Sequence, residues 1–168
     1  MQIEIISDSP LFTKNLGKSF SKIVSRGDII LFTGELGGGK TTFISGLAEG
    51  FGLAENLSSP SFTLLNEYKI DSHRRLIHAD LYRLENIDEV NGIGLDDYLY
   101  DGKSVICIEW GDKIRDFIAK EFLEINLSYL LDEESEDTKR KIIFKSAGRY
   151  WDLKLLEFKK IPGKNKER

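Results

Sequence analysis

The sequence predicts a three-layer α/β domain built on a mixed, mostly parallel central sheet, and three observations carry that prediction. Short apolar runs that end in a glycine turn or an acid, at residues 28–33 and 105–109, read as buried strands. Segments with apolar residues at helical spacing alternate with such strands along the earlier part of the chain. Two strand-like runs then follow each other across an acidic turn, which predicts an antiparallel hairpin and hence a sheet that is not purely parallel.

Residues 3–6 read as a short strand. Residues 10–24 read as an amphipathic helix, with Leu11, Phe12, Leu16, Phe20, Ile23 and Val24 near one face. Ser9 is placed to cap it and Pro10 takes the first position, where its missing N–H is harmless. After the strand at 28–33, residues 40–51 form a helix with Phe43, Ile44, Leu47, Ala48 and Phe51 inward and Gly52 as its stop. Residues 64–68 and 76–80 are strands joined by a polar turn around Asp71 and Ser72. Residues 87–99 are helical, interrupted by Gly92 and Gly94, and 112–119 are helical again after the strand at 105–109. Residues 122–131 and 141–145 pair around the acidic turn at 132–137.

A chain of 168 residues fits one domain, predicted here over residues 1–158, with a basic flexible tail at 159–168. Hydrophobic residues at 40% and charged residues at 31% suit a globular protein rather than a disordered one. The net charge of −4 argues against a strongly basic face for independent nucleic-acid binding. The lone cysteine, Cys107, rules out an intrachain disulfide and suits a reducing compartment. The first ten residues lack the basic start and long apolar run of a signal peptide, and no stretch approaches the roughly 20 apolar residues of a membrane span. A cytoplasmic protein without membrane association is the expectation.

Gly34-Glu35-Leu36-Gly37-Gly38-Gly39-Lys40-Thr41 fits the phosphate-binding pattern G-x-x-x-x-G-K-[ST], between a predicted strand and a predicted helix. Glycines let backbone approach phosphate oxygens with no Cβ in the way. The backbone N–H groups of the loop then form an anion nest, with the helix starting at Lys40 pointing its N-terminus at the phosphates. Lys40 is expected to reach the β- and γ-phosphates, and the Thr41 hydroxyl to ligate magnesium. The fold class sharpens to a P-loop NTPase. Such a site needs an acid at a neighbouring strand end. Glu109 fits well; Asp80 fits less well because His78 interrupts its apolar run. One carboxylate is expected on the metal shell and the other orienting the attacking water. His78 itself reads as a satisfied, partly buried histidine and Cys107 as an inert buried thiol. The Asn-Lys-x-Asp element of guanine-specific P-loop proteins is missing: the only Asn-Lys, Asn165-Lys166, is followed by Glu167-Arg168. ATP is therefore the expected nucleotide.

Further segments occur in order: Ser59-Pro60-Ser61-Phe62-Thr63-Leu64, His78-Ala79-Asp80-Leu81-Tyr82-Arg83-Leu84, Gly94-Leu95-Asp96-Asp97-Tyr98 and Ile108-Glu109-Trp110. With the P-loop they make residues 5–130 closely resemble the bacterial TsaE (YjeE) family. The P-loop alone is shared by many families; its combination with the His-x-Asp-x-Tyr-Arg segment and the Glu-Trp strand end is specific. The resemblance implies a small magnesium-dependent ATPase acting with the TsaD–TsaB pair, which forms threonylcarbamoyladenosine in tRNA. It also implies that the ATP cycle resets that complex and that tRNA is reached indirectly, through the complex. It implies that Thr41 and Glu109 bind magnesium and that Gly37, Gly38, Gly39, Lys40, Thr41 and Thr42 hold the phosphates. It further implies that Asp80 is a catalytic or metal-shell carboxylate, that Thr63 lies in a switch-like segment, that Trp110 lies near the nucleotide and that Thr13 approaches the adenine. The chain departs from the family in having Ser61 where threonine is commoner, which keeps the hydroxyl, and Ala79 where an aromatic is frequent, which touches packing.

Two other readings compete. A P-loop kinase for a small molecule or nucleotide usually adds an arginine-bearing lid, and the only adjacent pair, Arg74-Arg75, falls in a tight strand connection. A nucleotide-sensing module without turnover is the third.

Overall fold

The computed structural model describes residues 1–53, 57, 59–85, 87–130 and 139–161. Seven strands among them share one sheet: β1 (Gln2–Ser7), β2 (Ile29–Gly34), β3 (Leu65–Lys69), β4 (Arg75–Asp80), β5 (Ser104–Glu109), β6 (Phe122–Leu130) and β7 (Lys139–Ala147). The helices are α1 (Pro10–Phe20), α2 (Lys40–Gly50), α3 (Ile87–Gly92), α4 (Asp96–Leu99) and α5 (Arg149–Lys159), with a 3-10 helix at Gly111–Phe117. The spatial order is β1-β7-β6-β2-β5-β4-β3. The four central strands, β6, β2, β5 and β4, run parallel; β3 on one edge and β7 on the other run against them, and β1, antiparallel to β7, runs with them again.

Both faces of this sheet are covered, which is why β2 and β5 read as unbroken apolar runs rather than alternating ones. Ile30 and Phe32 of β2 join one core with Phe20 of α1, Phe43 and Leu47 of α2, and Trp151, Leu155 and Phe158 of α5. Ile29 and Leu31, pointing the other way, join Ile77, Ala79, Ile106 and Ile108 against Val90, Leu95, Leu99 and Ile114. The three layers are those predicted from the sequence.

Helix α1 starts as expected: the Ser9 hydroxyl accepts the Phe12 N–H at 3.2 Å and Pro10 occupies the first turn. It ends at Phe20, earlier than predicted; a turn then brings Ile23 and Val24 back into the core, while Leu11 is exposed. Helices α1 and α2 approach very closely. A Cβ on Gly17 would fall 2.2 Å from the Phe43 carbonyl oxygen, and one on Gly46 would fall 1.9 Å from that of Lys14. Glycine on both helices is what lets α1 brace the helix that carries Lys40 and Thr41.

Two element predictions need correction, and a third holds. The interruption expected at 87–99 is present: two short helices flank Gly94, which takes a φ of +74°. The helix expected at 112–119 is a 3-10 helix that starts at Gly111. Residues 149–159, for which no element was predicted, form α5. Its Trp151 is fully buried and its ring lies parallel to Phe20 at 6.4 Å, and Phe158 meets Phe20 edge-on at 4.7 Å. Truncating a buried aromatic of this size costs about 3–5 kcal/mol, so α5 is part of the core. Lys154 and the Tyr150 hydroxyl also bind the buried Asp28 carboxylate at the foot of β2. The acidic turn at 132–137 and the tail beyond Ile161 lie outside the described residues. No described helix is long and apolar enough to cross a membrane.

Candidate functional site

The loop between β2 and α2 is shaped by backbone that only glycine adopts easily. Gly34, Gly37 and Gly39 have φ of +104°, +74° and +104°. The loop lies against β6: Glu35 N donates to the Leu127 carbonyl at 3.2 Å, and a Cβ on Gly38 would sit 2.6 Å from that same oxygen. The Glu35 carboxylate accepts the Tyr129 N–H at 3.1 Å. Lys40, the first residue of α2, is buried beneath this loop. Its Nζ donates to the Glu35 carbonyl at 2.7 Å and the Gly34 carbonyl at 3.2 Å, and it sits 4.1 Å above the Trp110 ring. Burial pushes its pKa below the usual lysine value, and the Glu109 and Asp80 carboxylates pull it back up.

Both predicted acids stand at the carboxyl ends of adjacent parallel strands. Asp80 closes β4, Glu109 closes β5, and the two are direct register partners; Phe32 of β2 faces Glu109 on the other side. They therefore emerge where the P-loop begins, at the edge where open α/β sheets bind ligands. Glu109 is buried, and its Oε1 accepts the Thr41 hydroxyl at 2.7 Å and meets His78 Nε2 at 2.9 Å. Asp80 Oδ2 accepts the Ser59 and Ser61 hydroxyls at 3.1 and 3.0 Å, and its Oδ1 accepts the Tyr82 N–H at 3.0 Å.

Of the sequence-predicted residues, Gly37, Gly39, Lys40, Thr41, Thr42, Asp80, Glu109 and Trp110 line one cleft of about 210 Å³. Trp110 turns into it because its φ is +60° at the exit of β5, and the Tyr82 ring packs 5.0 Å away. Gly38 faces β6 instead. Thr13 stands behind the loop rather than in the cleft. It is buried, its hydroxyl is taken by Ser7 at 2.7 Å, and its methyl group lies beside Gly39. Thr63 points its hydroxyl to Asn66 at 2.8 Å.

The donor set suits magnesium. Thr41 Oγ1 and Glu109 Oε1 are both hard oxygens, 2.7 Å apart. With metal–oxygen distances of about 2.0–2.1 Å, neighbouring ligands of an octahedral magnesium ion lie about 2.9 Å apart. Two protein oxygens are also its ordinary share, the remainder coming from water and substrate phosphates.

Residues 7–142 match the family model described as threonylcarbamoyl adenosine biosynthesis protein TsaE. The chain belongs to the TsaE family. The tRNA threonylcarbamoyladenosine biosynthesis protein TsaE of Bacillus subtilis is 36% identical over 145 residues, 86% of each chain. Its namesake in Treponema pallidum is 35% identical over 135 residues, 79% of this chain and 96% of that one. The crystal structure of Bacillus subtilis YdiB superposes with a TM-score of 0.77 at 29% identity, covering 95% of both chains. The fold is thus the three-layer P-loop fold of a TsaE protein.

Sequence reasoning missed one member of this TsaE site. His78 is not the satisfied, partly buried histidine that was expected: it is fully buried, bonded to Glu109 through Nε2, and without a partner for Nδ1 among the described residues. A signal was present. The two-residue period of a strand puts His78 on the same face of β4 as Asp80. The parallel register, which pairs His78 with Cys107, puts it on the same face as Glu109 as well. Cys107 is fully buried, and burial raises its thiol pKa, as expected of an inert core residue.

Proposed function

We propose that this TsaE protein binds ATP with magnesium and hydrolyses it to support a TsaD–TsaB pair in forming threonylcarbamoyladenosine in tRNA. The observation that carries the reading is the 2.7 Å contact between Thr41 at the start of α2 and Glu109 at the end of β5, directly beside the glycine loop. Backbone N–H groups from Gly37 to Thr42 hold the phosphate oxygens, aided by the helix N-terminus. Lys40 places its ammonium against the β- and γ-phosphates; burial lowers its pKa and the Glu109 and Asp80 carboxylates oppose that shift. Thr41 and Glu109 hold the magnesium ion, which when bound neutralises charge building on the transferred phosphoryl group. Asp80 accepts a hydrogen bond from the attacking water and orients it in line. Trp110 and Tyr82 wall the cleft beside Lys40 and Asp80. A cytoplasmic site of action follows from the partners.

The position of the adjacent arginines favours hydrolysis over a kinase. Arg75 opens β4 and Arg74 precedes it, five and six residues from Asp80, or about 17–20 Å at the usual strand rise. Both are engaged there, Arg74 with Asp71 and Arg75 with Glu67 and Asp101. Neither serves as a lid over the cleft.

The test is ATP hydrolysis by the purified protein alone and with the matching TsaD–TsaB pair. Slow turnover alone is expected, because no arginine from this chain stands in the cleft among the described residues. The pair should raise the rate well above the sum of the parts, and Lys40→Ala should abolish it. An unchanged rate together with no complex in ATP would overturn the proposal.

A further inference from the structure

We propose that His78 is a positioning residue that fixes the Glu109 carboxylate for magnesium and so sets how tightly the site takes metal with nucleotide. The inference rests on the magnesium–nucleotide reading above and concerns the chain's own residues. His78 lies in the middle of β4 with no exposed surface. Its Nε2 is 2.9 Å from Glu109 Oε1, the same oxygen that accepts the Thr41 hydroxyl. Glutamate has a long, freely rotating side chain. Two donors on one oxygen, one from the interior of the sheet and one from the first turn of α2, hold it in a single orientation.

The protonation pattern is legible from partners alone. Nδ1 is buried with no hydrogen-bond partner among the described residues. An orphaned N–H is costlier than an orphaned lone pair, so the proton belongs on Nε2 and points at Glu109. The assignment is inferred from the network. Packing alone does not call for such a residue. The neighbours on this face of the sheet are Leu76, Val105 and Cys107, all fully buried and apolar. A histidine with one nitrogen unsatisfied is a poor choice there unless its other nitrogen has work at Glu109. The diagonal offset of the register supplies the reach: His78 sits directly opposite Cys107, and Glu109 is two residues further on.

The test compares wild type, His78→Leu and His78→Gln by calorimetric binding of a non-hydrolysable ATP analogue over a range of magnesium concentrations. Leucine keeps the bulk and removes the donor; glutamine restores a donor near the Nε2 position. Outer partners of metal ligands are worth about 10–100-fold in metal affinity, so half-saturating magnesium should rise by that factor in His78→Leu. Analogue binding without magnesium should stay unchanged, and His78→Gln should recover most of the loss. A purely structural role would lower the melting temperature of both variants and move both binding curves equally; that result, or a wild-type magnesium dependence in His78→Leu, overturns the inference. Nitrogen NMR of the wild-type imidazole needs no variant: a proton on Nε2 is expected, and a ring protonated on Nδ1 alone overturns the inference. If the wild-type protein itself shows no magnesium-dependent nucleotide binding, the functional reading fails instead.

Discussion

Asp80 and Glu109 are both strand-end acids beside the P-loop, yet the molecule holds them in opposite ways. They end neighbouring parallel strands, face each other in register, and are 5% and 4% exposed. Glu109 is gripped by fixed elements, Thr41 on α2 and His78 on β4. Asp80 is gripped on Oδ2 by Ser59 and Ser61, which belong to the irregular segment between α2 and β3. That segment exposes Phe62, with 86% of its surface in solvent, and re-enters the sheet through Leu64 at a φ of +63°. Burial therefore does not assign roles here. A carboxylate tied to helix and strand is preorganised for a constant ligand, and one tied to a loop is suited to a step that follows loop position.

The largest effect should come from Glu109→Ala. It removes the oxygen proposed to hold the metal and strands both His78 and the Thr41 hydroxyl. Hydrolysis should fall by about 10³-fold or more, since several kcal/mol of charge stabilisation depend on the metal. Magnesium should then cease to strengthen analogue binding in calorimetry. Retained magnesium dependence would show that the metal is held elsewhere and dissolve the contrast. Asp80→Asn should come next. It keeps the Ser59 and Ser61 contacts in shape but removes the charge that orients water. Single-turnover hydrolysis should fall by about 10²-fold, the lower range for a positioned base, with analogue affinity nearly unchanged. A matching loss of magnesium affinity would make Asp80 a second metal-shell group and erase the division of labour.

Much of this was legible before any coordinates. The P-loop, both strand-end acids and the Ser9–Pro10 start of α1 follow from local pattern, because each is fixed by residues close together in sequence. Two features were not. His78 and Glu109 are 31 residues apart, and only the register of β4 against β5 brings them within 2.9 Å. Periodicity within one strand gives a face but not the neighbour's offset. Helix α5 escaped for another reason. Its buried set, Trp151, Leu155 and Phe158, has helical spacing, but Leu153 and Leu156 are exposed at 59% and 49% and blur the stripe.

The smallest effect, and the sharpest test of the contrast, should come from Ser59→Ala combined with Ser61→Ala. A hydrogen bond to a charged acceptor contributes about 1.5–3 kcal/mol when buried, but Ser59 is exposed and Ser61 half-buried, so water can take both places. Analogue binding should stay within about threefold of wild type, and single-turnover hydrolysis should drop by about three- to tenfold. That drop should require Asp80: in an Asp80→Asn background the serine changes should have no further effect, because the charged acceptor they serve is gone. A loss that persists in that background would mean the serines act on nucleotide directly. An unchanged rate in the wild-type background would mean that the loop's grip on Asp80 has no part in turnover. Non-additivity confined to Asp80, with Glu109 and the magnesium curve untouched, is the outcome that separates a carboxylate held by a loop from one held by the core.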